Sequence, residues 1–402
     1  MNILAGQRVL LGITGSVAAY KGAELASRLT QAGALVDVIL TAAAEKFISP
    51  LTFQSVTGRK AYTDADLWGG EGHVTHIGLG RAGELFIVAP ASATTLARLA
   101  NGLAENLLSV TALASHCPMI IVPAMDAGMY SHPATQQNVK ILSERGALFV
   151  GPASGHLASG LVGVGRMEET PVIMGAARYI FGRNGTLSGK RLVITAGGTR
   201  EAIDPVRTIT NHSSGKQGYA LAQAAIDQGA DVVLITSSSL AVPYGCRVLS
   251  VDTAAQMHDA VMAEIKDAAG LIMAAAVADF RPVSSSPEKI KKEAGLPVIQ
   301  LEPTADILKT VGEKRGSWPS LKCVVGFAAE SEDLLTNARV KLHRKNLDMI
   351  VANDISSPDA GFSVDTNRVM LVQKDDSALS LPLMTKDEVA EEVIRHIAEL
   401  LA

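Results

Sequence analysis

One order of elements occurs twice along the chain, and it limits the fold more than any other feature. The apolar run Arg8–Ile13 ends in the small-residue loop Thr14-Gly15-Ser16; a helical stretch continues to Gln31, Gly33 stops it, and a second apolar run spans Leu35–Leu40. The pattern returns as an apolar run over 191–195, the loop Gly197-Gly198-Thr199, a helix over about 215–227, Gly229, and a further apolar run over 231–235. Short, continuously apolar runs separated by helical stretches read as parallel strands buried on both faces, each pair joined by a crossover helix. The chain therefore contains two strand–loop–helix–strand starts. The polar, glycine-bearing stretch 183–190 between them has the composition of a linker, which puts the boundary between a domain over 1–189 and a second over 190–402.

More apolar runs follow in each half. In the first they cover 85–89 and 119–122; in the second, 270–275, 323–327, 349–352 and 368–372, before an amphipathic closing helix over Lys386–Leu401. At 402 residues the chain exceeds what one core supports, and 48% hydrophobic, only 4% aromatic residues with 36 glycines suit aliphatic packing between helices and parallel strands. The fold class is α/β, with two Rossmann-like doubly wound domains. In such sheets ligands bind outside the carboxyl ends of the strands, so the loops after them should converge.

Composition also excludes partners. A net charge of -4 without a long basic run leaves no footprint for nucleic acid. No apolar run approaches the roughly 20 residues of a membrane helix, and no secretory signal opens the chain. Cys117, Cys246 and Cys323 are odd in number and widely spaced, which argues against disulfides and cysteine-rich metal sites. A cytoplasmic protein is expected.

The loop Thr14-Gly15-Ser16 at a helix start suits a phosphate, and it suits ordinary helix capping equally well. Thr41, Ser92 and Thr95 add hydroxyls to the same sheet edge. Neither half carries a full Gly-x-Gly-x-x-Gly fingerprint, which disfavours the rival reading of a nicotinamide oxidoreductase built from two dinucleotide folds.

Four segments taken together are more specific: Gly12-Ile13-Thr14-Gly15-Ser16-Val17-Ala18-Ala19-Tyr20-Lys21, Thr75-His76-Ile77-Gly78-Leu79, Ala89-Pro90-Ala91-Ser92-Ala93-Thr94-Thr95 and Pro123-Ala124-Met125-Asp126. This set resembles the flavin-dependent cysteine decarboxylases, and in particular the phosphopantothenoylcysteine decarboxylase part of the bifunctional coenzyme A biosynthetic enzymes. The resemblance implies FMN bound by Gly15, Ser16, Thr41, Ser92 and Thr95, with His76 managing proton transfer beside it. His73 carries no motif. The chain departs from the family at two positions. Asp126 stands where the family has an asparagine for the substrate carboxylate; a carboxylate at Asp126 would repel another unless protonated or paired with His76. Ser159, in the glycine-dense flap 155–167, stands where the family often has a proton-donating cysteine. A thiol of reference pKa about 8.5 is a usable acid and a serine hydroxyl is not, which makes His156 the substitute donor, acting directly or through Ser159 and a water.

In the second half, 209–218 opens a helix with Asn211-His212-Ser213-Ser214-Gly215-Lys216, again suited to an anion or to plain capping, and it is not a Walker motif. Downstream come Ala275-Ala276-Val277-Ala278-Asp279-Phe280, then Lys289-Ile290-Lys291-Lys292, Ala305-Asp306-Ile307-Leu308, Gly326-Phe327-Ala328-Ala329-Glu330, Lys341 and Lys345. The ordered set resembles phosphopantothenate–cysteine ligase from about residue 190 onward. The resemblance implies CTP as co-substrate, with Asn211 holding an acyl-cytidylate and Lys289 supporting its conversion with cysteine. It further implies Lys341 and Lys345 facing the triphosphate, and Phe327, Ala305, Asp306, Ile307 and Leu308 near base and ribose. Met273, Ala274 and Ala275 line the same site, and Asp279 orders Mg2+ or nucleotide hydroxyls. Thr199, Arg200 and Arg207 either bind the substrate phosphate or, for the arginines, form structural ion pairs.

The two resemblances together imply a bifunctional enzyme that ligates cysteine to 4'-phosphopantothenate and decarboxylates the phosphopantothenoylcysteine formed to 4'-phosphopantetheine. The alternative is a ligase whose flavin domain binds cofactor and assembles the oligomer but decarboxylates weakly or not at all. A homo-oligomer is implied in either case.

Overall fold

The computed structural model describes residues 2–68, 74–291, 298–330, 333–354 and 364–402; His73 and Lys292 lie outside the described residues. The chain divides into two compact units, Met1–Phe181 and Gly182–Ala402. The division falls after Phe181, because the stretch that follows it is tied to the second unit: Leu187 is fully buried and its amide donates to Gln228 O at 2.8 Å.

The first unit is built on six parallel strands: β1 (Arg8–Ile13), β2 (Leu35–Leu40), β3 (Ala61–Tyr62), β4 (Leu85–Ala91), β5 (Met119–Pro123) and β6 (Leu148–Phe149). Their spatial order is β3-β2-β1-β4-β5-β6. Helices α1 (Ala19–Gln31), α2 (Pro50–Thr57), α3 (Thr75–Ala82), α4 (Ala93–Asn101), α5 (Leu107–Ala114), α6 (Ala127–Ser131), α7 (Pro133–Glu144) and α8 (Thr170–Gly182) accompany them, and the hairpin β7 (Ala153–His156) with β8 (Val162–Arg166) stands apart from the sheet. Every residue of β4 is buried, as a strand covered on both faces requires. Leu10, Ile39, Phe86, Val88 and Ile121 join Leu96 and Leu108 from the helices in one apolar cluster, and each such side chain removed from water contributes about 1.5–3 kcal/mol.

The second unit repeats that order. Its strands are β9 (Arg191–Ala196), β10 (Arg200–Asp204), β11 (Arg207–Thr210), β12 (Asp231–Thr236), β13 (Arg247–Ser250), β14 (Gly270–Met273), β15 (Phe280–Pro282), β16 (Leu301–Pro303), β17 (Cys323–Glu330), β18 (Met349–Asp354), β19 (Thr366–Asn367), β20 (Val369–Gln373) and β21 (Ala378–Ser380). The main sheet runs β13-β12-β9-β14-β17-β18-β20-β21, parallel as far as β18 and antiparallel thereafter. Helices α9 (Lys216–Asp227), α10 (Ala254–Glu264), α11 (Ile307–Lys314), α12 (Leu334–Arg344) and α13 (Lys386–Leu401) complete it. Among the described residues no helix is long and apolar enough to cross a membrane.

In both units the strand order reverses beside the first strand, between β1 and β4 and between β9 and β14. A threonine spans each of these crevices. Thr14 Oγ1 donates to Pro90 O at 2.7 Å and accepts from Ser92 N at 2.9 Å; Thr195 Oγ1 accepts from Ala275 N at 3.1 Å. The clasp fixes the two loops that frame each switch point, where doubly wound sheets bind their ligands.

The antiparallel pairs β10–β11 and β15–β16 have no counterpart in the sequence reading. The apolar run over 270–275 is a strand only to Met273; its last residues turn into the loop at the switch point.

Candidate functional sites

In the first unit a cleft of ≈ 370 Å³ opens beside the switch point, lined by Ser16, Tyr20 and Lys21 from α1 and the loop before it, Asp126 from the loop after β5, and His156, Ser159 and Arg166 from the hairpin. The hairpin is pinned at its base. Met125 N donates to Gly165 O at 2.9 Å, and a Cβ on Gly165 would stand 2.2 Å from Met125 O, so only glycine permits this approach. At its tip Leu157 N donates to Leu161 O and Gly160 N to Leu157 O, turning Ser159 back toward the cleft.

Asp126 caps α6, its Oδ1 accepting from Gly128 N at 2.9 Å, while its Oδ2 accepts from Ser159 Oγ at 2.7 Å. The Ser159 hydroxyl, followed by the Gly128 amide, holds this carboxyl below the usual carboxylate range. Asp126 is therefore ionised at neutral pH and bonded to Ser159. Of the two conditions that would relieve repulsion of a substrate carboxylate, protonation is not met, and the side-chain partner of Asp126 in the structure is Ser159, so the two departures from the family pattern touch each other.

His76 lies in the first turn of α3, outside the cleft lining, and its Nδ1 is buried with no partner among the described residues. Gly15, Thr41, Ser92 and Thr95 sit at the carboxyl ends of β1, β2 and β4, with Thr41 and Thr95 buried and Ser92 Oγ 3.1 Å from Thr95 Oγ1. These residues suit a flavin phosphate. The first turn of α1 holds no acidic residue, so its dipole favours an anion there, although Ala18 N, Ala19 N and Lys21 N already donate to Ser16 Oγ, Ser16 O and Ala18 O. A Cβ on Gly15 would meet Ala43 Cβ at 2.6 Å and fill the space between the two loops.

In the second unit a cleft of ≈ 340 Å³ lies over the β9–β14 crevice. The loop 273–275, the loop 305–308, Asn211, Asp279, Phe327, Lys341 and Lys345 all line it. Lys289, predicted for this site, is absent from the lining; it stands on an exposed loop whose neighbour Ile290 is fixed through its amide to Asp204 Oδ2 at 3.2 Å. Asp306 caps α11, accepting from Lys309 N at 3.0 Å, and pairs with Lys345, Nζ to Oδ2 2.9 Å. Burial raises its pKa, but the Lys345 ammonium and the Lys309 amide outweigh this and hold it below the ordinary value. Asn211 Nδ2 donates to Val277 O at 3.1 Å, which aligns the 274–278 loop with the start of α9.

Arg207 pairs with the buried Asp204 at 2.5 Å and Arg200 with Asp252 at 3.2 Å, the structural role that the sequence left open for both. Neither lines the cleft, nor does Thr199, whose hydroxyl accepts from Ala278 N at 2.9 Å. Among the described residues no group of three or more His, Cys, Asp or Glu side chains is placed to hold a metal ion.

The family described as "Flavoprotein" matches residues 2–178, and "DNA/pantothenate metabolism flavoprotein C-terminal domain" matches 187–401. The "Coenzyme A biosynthesis bifunctional protein CoaBC" of Bacillus subtilis (strain 168) is 45% identical over 403 residues, spanning 99% of this chain and 98% of its own. The protein of the same name from Vibrio cholerae serotype O1 is 44% identical over 402 residues, 99% of this chain and 100% of its own. A crystal structure of the C-terminal domain of a protein of this name aligns with 54% of this chain and 98% of its own, at 41% identity and a TM-score of 0.46. The chain belongs to the bifunctional coenzyme A biosynthesis protein family.

Within this bifunctional protein the three thiols stand away from both clefts. Burial pushes Cys323 up to about 12 and Cys246 to about 11, and it raises Cys117 as well. All three are protonated at pH 7, so maleimide labelling of the native enzyme is expected to be slow at every cysteine and slowest at Cys323, becoming rapid in denaturant; fast native labelling at Cys323 would refute the burial argument.

Sequence reasoning missed Lys21 and Arg166. Lys21 is buried on the inner face of α1, and its Nζ lies 3.1 Å from Glu169, which also pairs with Arg166. A lysine in register with Leu25 and Leu29 on the apolar face of an amphipathic helix was the available signal.

Proposed function

We propose that the second unit joins cysteine to 4'-phosphopantothenate with CTP, and that the first unit decarboxylates the phosphopantothenoylcysteine produced to 4'-phosphopantetheine. The observation that carries the ligase assignment is the convergence of Asn211, Asp279, Asp306, Lys341 and Lys345 on one cleft at the switch point. In this reading a carboxylate oxygen of phosphopantothenate attacks the α-phosphorus of CTP and pyrophosphate leaves. The cysteine nitrogen then attacks the acyl carbon, the bond to CMP breaks, and an amide forms with loss of a proton. Lys341 and Lys345 offset the triphosphate charge, and Asn211 holds the acyl group. One carboxylate, Asp279, together with the nucleotide's phosphates suits Mg2+, which is commonly held by one or two carboxylates and substrate oxygens.

In the first unit, Gly15, Ser16 and the amide end of α1 would hold the phosphate of FMN, with Thr41, Ser92 and Thr95 beside it. The flavin, when bound, supplies an electron-pair acceptor and donor at the cysteinyl end, where the carboxylate departs as CO2. His76 has a buried ring nitrogen without a partner, as a residue handling protons beside that group requires. His156 delivers the last proton to carbon. The enzyme is assigned to the cytoplasm, as a homo-oligomer acting on these small molecules.

The ionised Asp126 favours one second reading, a ligase whose flavin unit decarboxylates poorly, because this carboxylate opposes that of the substrate. Incubation with phosphopantothenate, cysteine, CTP and Mg2+, followed by mass analysis, decides between them. The proposal expects 4'-phosphopantetheine with one CMP and one CO2 per turnover. Accumulated phosphopantothenoylcysteine would establish the second reading, and the absence of any nucleotide-dependent product would refute both.

A further inference from the structure

One wall of the second unit's cleft is left over by the nucleotide reading. The first turns of α9 and α13 and the strands β18 and β19 bring Lys216, Gln217, Asn353, Asn367 and Lys386 to the lining. Asn367 is 1% exposed; its Nδ2 donates to Asn353 Oδ1 at 3.1 Å, while its Oδ1 is buried with no donor. Gln217 is in the same condition: Nε2 donates to Lys386 O at 3.1 Å and the buried Oε1 accepts nothing. Buried carbonyl oxygens without donors are rare and costly, so two on one wall of a cleft point to a ligand that brings N–H groups.

Two ammonium groups stand beside these acceptors. Lys216 Nζ contacts Asp365 Oδ1 at 2.5 Å, and Lys386 Nζ donates to Val364 O at 2.5 Å. Burial, and then the neighbouring Lys216 charge, lower the pKa of Lys386, with Asp365 acting the other way. CTP carries both phosphates for the lysines and an amine for the amide oxygens, but its amine is on the base, a ribose away from the phosphates. An α-amino acid carries an ammonium donor and a carboxylate on one carbon, the spacing that a single wall with acceptors and cations together calls for.

We propose that this wall is the subsite for the amino-acid substrate, with Asn367 Oδ1 and Gln217 Oε1 accepting from its nitrogen and Lys216 and Lys386 facing its carboxylate. The proposal rests on the ligase reading and adds to it where cysteine waits for the activated acyl group.

The two stand or fall separately. Pyrophosphate release from CTP and phosphopantothenate without cysteine tests the ligase reading, and its absence in the native enzyme removes both. With that release established, Gln217→Met is expected to raise KM for cysteine about tenfold, the loss of one hydrogen bond to a charged group, without a matching rise in KM for CTP. Lys216→Met, at a side chain 43% exposed, keeps the test open if the first variant does not fold. The native enzyme is expected to use cysteamine, which lacks the carboxylate, far less well than cysteine, and Lys216→Met to narrow that preference. Unchanged KM for cysteine in both variants, or an equal rise in KM for CTP, would overturn the assignment.

Discussion

Replacing Lys345 with methionine is expected to lower kcat/KM for CTP by about 10²–10³, the loss seen when a preorganised charge donor is removed from a site that stabilises developing negative charge. Lys345 Nζ lies 2.9 Å from Asp306 Oδ2 at 19% side-chain exposure, and both residues line the cleft. In the proposed ligation the pair would do two things at once: present an ammonium to the phosphates and neutralise a carboxylate that would repel them. Lys345→Met removes the first and exposes the second, so the loss exceeds that of an isolated lysine. Adding Asp306→Asn is expected to recover about tenfold, because the amide oxygen still caps α11 by accepting from Lys309 N while the repulsion disappears. Since the folded pKa of Asp306 is below its ordinary value, the pair's stabilisation is in place above the ordinary carboxyl range and is lost only as pH falls through that lower value. Initial rates of pyrophosphate release check the prediction; a drop of less than threefold in the single variant, or no recovery in the double, would refute this role.

Much of this arrangement was legible from the chain. The runs Arg8–Ile13 and Leu35–Leu40 are strands with the bounds read from the sequence, because a parallel strand buried on both faces is a continuous apolar run that stops where the loop begins. The second unit's cleft was legible through the motif resemblance rather than through topology: Phe327 lies in β17 and Asp279 in the segment after β14, strands of the main sheet, whereas Asn211 and Asp306 follow β11 and β16, strands of the two-stranded arms. The arms β10–β11 and β15–β16 were not, being two pairs of strands of three to five residues without alternation long enough to register. Nor was the bond between Asp126 and Ser159, which are 33 positions apart and meet only because the hairpin folds back on Met125. Residue type announced both departures from the family pattern. Only geometry joined them, and the joining keeps Asp126 ionised.

That bond also decides where the last proton of the decarboxylase unit comes from. Ser159 donates its hydrogen to an ionised carboxylate at 2.7 Å, and a hydroxyl is far too weak an acid to give it up at neutral pH. Asp126, ionised, has no proton to give. Lys21 is engaged by Glu169, and Arg166 by the same carboxylate. Cys117, the one thiol of this unit, lies outside the cleft and is held protonated by burial. Tyr20 and His156 remain in the lining; a phenol is a far weaker acid than an imidazolium, which leaves His156, exposed at the end of β7 on the hairpin that carries Ser159. His156→Ala is therefore expected to lower formation of 4'-phosphopantetheine by about 10²-fold, the lower range for a lost general acid, while ligation continues. Carbon dioxide is still released, so a product two hydrogens lighter than 4'-phosphopantetheine, the decarboxylated enethiol, should appear in the mass spectrum, up to one per flavin under anaerobic conditions and more where dioxygen reoxidises the reduced flavin. Adding Ser159→Cys to the His156→Ala variant places a thiol where the hydroxyl stood and is expected to restore much of the rate. Undiminished 4'-phosphopantetheine formation by His156→Ala would remove His156 from the mechanism and leave the proton to solvent reaching Ser159.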